Sequence, residues 1–180
     1  MKPNSLQELY VEQLKDLYDA EQQIIKALPE MVDAGTSDAL KEALTKHLEV
    51  TKAQATRLEQ IFATLGEKAK GEKCKGIQGV IAEGSNLIGD IKDAVVRDAA
   101  IIASAQRVEH YEMAGYGTTR TYATLLGEDE ASQLLQQTLD EEKEADQTLT
   151  TLAEEINVNA TSGKAVEGEK PGSSKRKRIA

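Results

Sequence analysis

Residues 105–123 read AQRVEHYEMAGYGTTRTYA. Advancing ~100° per residue along a helix puts Ala105, Glu109, Glu112, Tyr116, Thr119 and Ala123 on one stripe. Small and aromatic residues at that spacing are what a helix turns towards a core. Two glutamates in the middle of the stripe are not. The segment predicts a core-facing helix with carboxylates on its buried side, and the other helices must supply whatever balances them.

The same conflict recurs on either side. Upstream, Tyr10, Leu14, Leu17, Ile24, Ile25 and Leu28 mark an apolar face with a vacancy at Glu21, which falls within ~20° of the stripe centre. Downstream, Leu135, Leu139, Leu149, Ala153 and Ile156 form a stripe interrupted by Glu142 and Asp146. Five carboxylates on three helices, each near mid-helix, can therefore meet at one level. Burying an ionised carboxylate costs several kcal/mol, and like charges repel. Protonation, pairing with bases or a cation has to compensate them. No Lys or Arg lies inside these stripes, although Arg97, Arg107 and Arg120 share the third long helix. Oxygen-rich sites suit Mn or Fe, and mixed carboxylate–imidazole sites suit Fe and Zn.

The remaining wall is the stripe Leu40, Leu44, Leu48, Leu58, Phe62 and Leu65. His47 and Thr51 face inward on it with Gln54 at the flank, so His47 is the strong ligand type there. Glu49 falls on the opposite face, and His110 lies ~120–140° off its helix's stripe.

Helix signals fix the order. Ser5 with Glu8 is a capping-box pattern, and the helix it opens should stop near Asp33–Gly35. Thr36-Ser37-Asp38 caps a second helix reaching Leu65-Gly66. Residues 66–90 carry six glycines but keep Ile77, Val80, Ile81, Leu87 and Ile88 to bury, which predicts a short crossover helix. Long helices over 91–126 and 130–156 follow. Aromatics are 3% of the 180 residues, there are three prolines, and no segment alternates as a strand would. The class is all-α: two helix pairs joined by a long crossover, over residues 1–158, with a polar, basic-ended tail at 159–180 expected to be disordered.

The net charge of −9 disfavours nucleic-acid binding by the helical body and leaves it open only for the Lys175–Arg178 cluster of the tail. A single cysteine, Cys74, excludes an internal disulfide and fits a reducing compartment. No run approaches the roughly 20 apolar residues of a membrane span, and the first residues lack a signal-peptide core. A cytoplasmic setting is expected.

Five segments carry a resemblance: LKDLYDAEQQIIKALPEM (14–31), KHLEVTKAQATRLEQIF (46–62), CKGIQGVIAEG (74–84), VRDAAIIASAQRVEHYEMAGYGT (96–118) and TLDEEKEADQTLTTLAEEINVNA (138–160). Together they resemble the bacterial YciE/YciF-like ferritin-like proteins. The resemblance implies a ferritin-like antiparallel four-helix bundle with a short extra helix in the crossover, a homodimer, and an association with stress responses. Di-iron members of the wider superfamily use one Glu from each of two helices and Glu-x-x-His from each of the other two. By that comparison Glu21, Glu109, Glu112 and Glu142 match ligand positions. Ala145 stands where a His is expected, with Asp146 beside it. Thr51 and Gln54 stand, by phase, where the second helix has Glu and His.

The candidate metal residues are thus Glu21, His47, Glu109, Glu112, Glu142 and Asp146. The expected cofactor is a dinuclear iron or manganese site, with zinc as an alternative, reacting with peroxide or dioxygen. The rival expectation is a dimeric helical interaction protein without enzymatic activity, whose inward acids form a metal-free polar core.

Overall fold

Ser5 accepts a hydrogen bond from the Glu8 amide at 3.1 Å, while the Glu8 carboxylate accepts one from the Asn4 amide at 2.6 Å. With these caps begins α1 (Leu6–Ala34) of the computed structural model, which describes residues 3–162. Ser37 caps α2 (Asp38–Leu65), and Gly66 ends it in the left-handed region, where a glycine carries no steric cost. The crossover forms α3 (Lys75–Asp90). Asp93 accepts from the amides of Val95 and Val96 and starts α4 (Ala94–Leu126), which Gly127 terminates. The last helix is α5 (Asp129–Thr161).

Two boundaries differ from expectation. α4 starts after Asp93, because that carboxylate caps the amides beyond it. α5 runs past Ile156 and across the expected boundary at 158, since no glycine or proline intervenes before Gly163. The rest of the tail, including Lys175–Arg178, lies outside the described residues. Among the described residues no strand occurs, and no helix is long and apolar enough to cross a membrane.

α1 packs on α2 and α4, and α5 packs on α2 and α4, so the four long helices close a circuit. α3 lies across α4 and α1. The core divides in two. One half joins Tyr10, Leu14, Leu58, Phe62, Tyr116 and Leu135. The other joins Ile24, Leu28, Leu44, Ile101, Leu149 and Ile156, together with Cys74 and Ile77 from the crossover. Each buried side chain of this size contributes roughly 1.5–3 kcal/mol. On every long helix the change from one half to the other falls at a polar position: Glu21 on α1, Thr51 and Gln54 on α2, Glu109 and Glu112 on α4, Glu142 on α5.

Small contacts set the spacing around this layer. A Cβ on Gly115 would sit 2.8 Å from the Leu17 Cδ2, so the tip of Leu17 packs directly on the α4 backbone there. The Tyr111 hydroxyl donates to Asp16 at 3.1 Å and lies 3.0 Å from the Cys74 Sγ, tying the start of α3 to α1 and α4.

The turn between α1 and α2 is held by Asp98 of α4. Its buried carboxylate accepts from the Thr36 amide at 2.8 Å, the Thr36 hydroxyl at 2.7 Å and the Ser37 amide at 2.8 Å. Asp98→Ala strands these donors and is expected to cost about 1.5–3 kcal/mol. Urea unfolding of the variant checks this, and an unchanged midpoint would remove the carboxylate from the account.

Candidate metal centre

Between the two core halves the interior turns polar. Ligand atoms of His47, Glu109, Glu112 and Glu142 all lie within 4.8 Å of one another. α2 supplies the imidazole, α5 supplies Glu142, and α4 supplies a pair one turn apart. The His47 Nε2 stands 3.3 Å from the Glu109 Oε1 and 4.0 Å from the Glu142 Oε2. Glu21 of α1 lies against Glu112, and the Tyr116 hydroxyl donates to its Oε1. The Gln54 amide donates to the Glu142 Oε1 and, at 3.2 Å, to the Glu141 Oε2.

Burial dominates the electrostatics. It pushes the Glu21, Glu109 and Glu112 carboxyls well above the ordinary glutamate range. Neighbouring carboxylates add to it, Glu142 beside Glu21 and Glu109, and Glu21 beside Glu112. Burial also lowers the His47 imidazole, against the pull of Glu142 and Glu141. A depressed imidazole keeps a lone pair free for a ligand role.

Six ligand-type side-chain atoms of this layer are buried and receive no hydrogen bond from an N–H or hydroxyl donor among the described residues: Glu21 Oε2, His47 Nε2, Glu109 Oε2, both Glu112 oxygens and Glu142 Oε2; Glu21 with Glu112, and Glu109 with Glu142, are close enough to share a proton when no cation is bound. Proteins rarely leave such atoms unsatisfied. Here they come from all four long helices at one level. An oxygen-rich set with one imidazole fits a divalent first-row cation.

Comparison with known proteins follows the same lines. The model of a family described as a domain of unknown function, DUF892, matches residues 5–162. The chain belongs to the DUF892 family. Protein YciF of Escherichia coli (strain K12) is 41% identical to it over 154 residues, 85% of this chain and 93% of YciF. The crystal structure of YciF, described there as a stress protein, is 38% identical and superposes with a TM-score of 0.81, covering 90% of this chain and 100% of that one. YcfI of Rhodopseudomonas palustris is 46% identical, also with a TM-score of 0.81, over 82% of this chain and 94% of its own. A Xanthomonas campestris protein at 19% identity and a TM-score of 0.70, covering 88% of this chain and 97% of its own, shares the fold. The five segments that suggested the YciF kinship all lie within the DUF892 match.

Of the six expected metal residues, four form the close group in this DUF892 chain and Glu21 adjoins it. Asp146 does not join it. It has the right helical phase, but one turn beyond Glu142 the α5 face meets Gln106 and His110 instead. The Gln106 amide donates to Asp146 at 3.0 Å, and the His110 Nε2 lies 3.4 Å away. His110 is otherwise exposed, and Glu49 pairs with Lys52 in solvent, as the helical phase requires.

Two features exceed the sequence reading. Gln54, expected at the flank, is fully buried and holds Glu142. Arg57, one turn further along α2, grips Glu141 through two bonds of 2.6 and 2.7 Å, and its charge partly offsets that felt by Glu21. A base does therefore reach the edge of the layer. It is committed to Glu141, and the oxygens of Glu109 and Glu112 gain no partner from it.

Proposed function

We propose that the chain is a metal-binding stress protein of ferritin-like design, an antiparallel four-helix bundle with α3 as the extra helix of its crossover. The convergence of six unpartnered buried atoms on one level carries this reading. His47, Glu109, Glu112 and Glu142 would hold the cation, with Glu21 positioned for a second. A bound iron or manganese pair would supply redox chemistry towards peroxide or dioxygen.

The chain's own part is definable. Gln54 fixes one oxygen of Glu142 and leaves the other towards His47. Tyr116 holds a proton on its hydroxyl, against Glu21, and burial with the Glu21 charge keeps it there. The two apolar core halves exclude water from above and below the layer.

Elemental analysis after anaerobic loading with iron(II) or manganese(II), followed by anomalous scattering from crystals, tests the reading. One to two ions per chain at the layer are expected, and no bound Fe, Mn or Zn under either aerobic or anaerobic loading would end it. The homodimer and the cytoplasmic setting belong to the same reading; light scattering of the full chain checks the first.

A second reading has its own support. Thr51 and Gln54 occupy the buried α2 positions where the resemblance expects Glu and His. With fewer ligands, the acids could persist as a protonated, hydrogen-bonded core in a protein that acts by binding a partner. The two readings differ in the sign of their pH dependence.

A further inference from the structure

Two cavities reach the layer from opposite sides and meet at His47 and Glu109. The one between α2 and α5, of about 290 Å³, mixes Lys46, Glu141, Glu144 and Thr148 with Leu44, Val50 and Leu149. The other, of about 220 Å³, lies beneath α3, between α1 and α4. Its wall is mostly apolar: Ile24, Leu28, Val80, Ile81, Ile88 and Ala105. Three residues lining it, Ser104, His47 and Glu109, each carry a buried polar atom with no partner among the described residues.

We propose that the cavity beneath α3 binds a small neutral molecule, with an apolar body the size of a substituted benzene ring and a single hydroxyl. The size follows from the volume, since a dry apolar cavity of about 150 Å³ accommodates benzene. Neutrality follows from the wall, which carries no Lys or Arg to hold an anion, and from the acids beyond it, which already crowd like charges. The hydroxyl follows from the Ser104 Oγ, the unpartnered atom of this wall outside the proposed cation ligands, because a hydroxyl can both donate and accept where a hydrocarbon would leave it stranded. The proposal names a ligand class for the centre described above. It rests on the metal reading for the ligand's fate and not for its binding.

The test is a titration of the full chain, freed of metal by chelation, with benzyl alcohol, followed by amide chemical shifts. Saturable shifts confined to the lining of the cavity, residues 24–34, 80–89 and 104–109 with His47, are expected. Ala105→Leu and Ile81→Trp, which fill the cavity from α4 and α3, should each weaken binding by about ten-fold or more. Ile81 is only half-buried, so its variant serves if the other fails to fold. Ser104→Ala should weaken benzyl alcohol by about five-fold and leave toluene unchanged. Absence of saturation, shifts elsewhere, filled variants that bind like the parent, or equal binding of both probes by Ser104→Ala and the parent would each overturn the proposal. Alcohol binding by a chain that takes up no metal would count against the metal reading alone. Metal uptake without alcohol binding would count against the cavity alone.

Discussion

Glu112→Gln is expected to lower the affinity for iron(II) or manganese(II) by about 100-fold or more, and to raise the melting temperature of the metal-free chain at pH 8 by about 3–6 °C. Both effects have one origin. Glu112 is 1% exposed, neither of its oxygens receives a hydrogen bond from an N–H or hydroxyl donor, and Glu21, Glu142 and Glu109 all bear on it electrostatically. Losing even an outer partner of a ligand costs 10–100-fold in metal affinity, so losing a carboxylate at the centre should cost at least the upper end. Without metal the same carboxyl must either hold its proton far above its ordinary range or stand as a buried charge among like charges, and both cost stability at pH 8. Replacing uncompensated buried charge with a neutral group of equal shape gains ~1–2 kcal/mol, which in a chain of this size moves the melting point by a few degrees. Calorimetry with and without chelator reads both. A variant that binds metal like the parent, or melts lower without it, would show that Glu112 is no part of a cation site.

The second large effect is in pH. Three acids with raised folded values, Glu21, Glu109 and Glu112, retain protons in the folded chain that the unfolded chain releases from about pH 4.3 upward. Above that point the folded state binds more protons, so stability falls as pH rises, by up to about 1.4 kcal/mol per pH unit for each proton retained. His47 acts oppositely. Its lowered value means that the unfolded chain binds the extra proton, and stability rises with pH across that narrower range below about 6.5. Three acids outweigh one imidazole, so the metal-free chain should be more stable at pH 5.5 than at pH 8. Metal must displace the protons on the carboxylates, so the loaded chain should show the reverse slope. Urea unfolding at four pH values, with chelator and with manganese(II), separates the two. A flat or rising profile in chelator would mean that the buried acids are already compensated within the chain. Glu112→Gln should flatten the metal-free slope, which links this result to the first.

The residues that follow helical phase were legible in advance. Glu21, Glu109, Glu112 and Glu142 stand on apolar stripes because a helix repeats rigidly, and all four are buried. Phase carries no information about what lies opposite, and Asp146 shows the limit: its stripe position is right, but Gln106 meets it first. The inward direction of α2 was set by a series that includes Leu48, which is only half-buried, while the true face turns towards Gln54 and Ile61. Arg57 escaped because a long side chain acts well away from its own position on the wheel. It crosses to α5 for Glu141, a partner 84 residues away. The kinship with YciF-like proteins was readable as a resemblance carried by five segments spread over four helices and the crossover, and all five lie within the DUF892 match.

One absent methyl group governs more than packing. The closeness of α1 to α4 one turn from Glu112 depends on Leu17 occupying the space that a side chain on residue 115 would fill. The bite of the carboxylates across those helices is therefore set by a residue that offers no ligand. A methyl on residue 115 would press on the Leu17 tip, which must turn aside, and would disturb the packing beside the layer without touching any carboxylate.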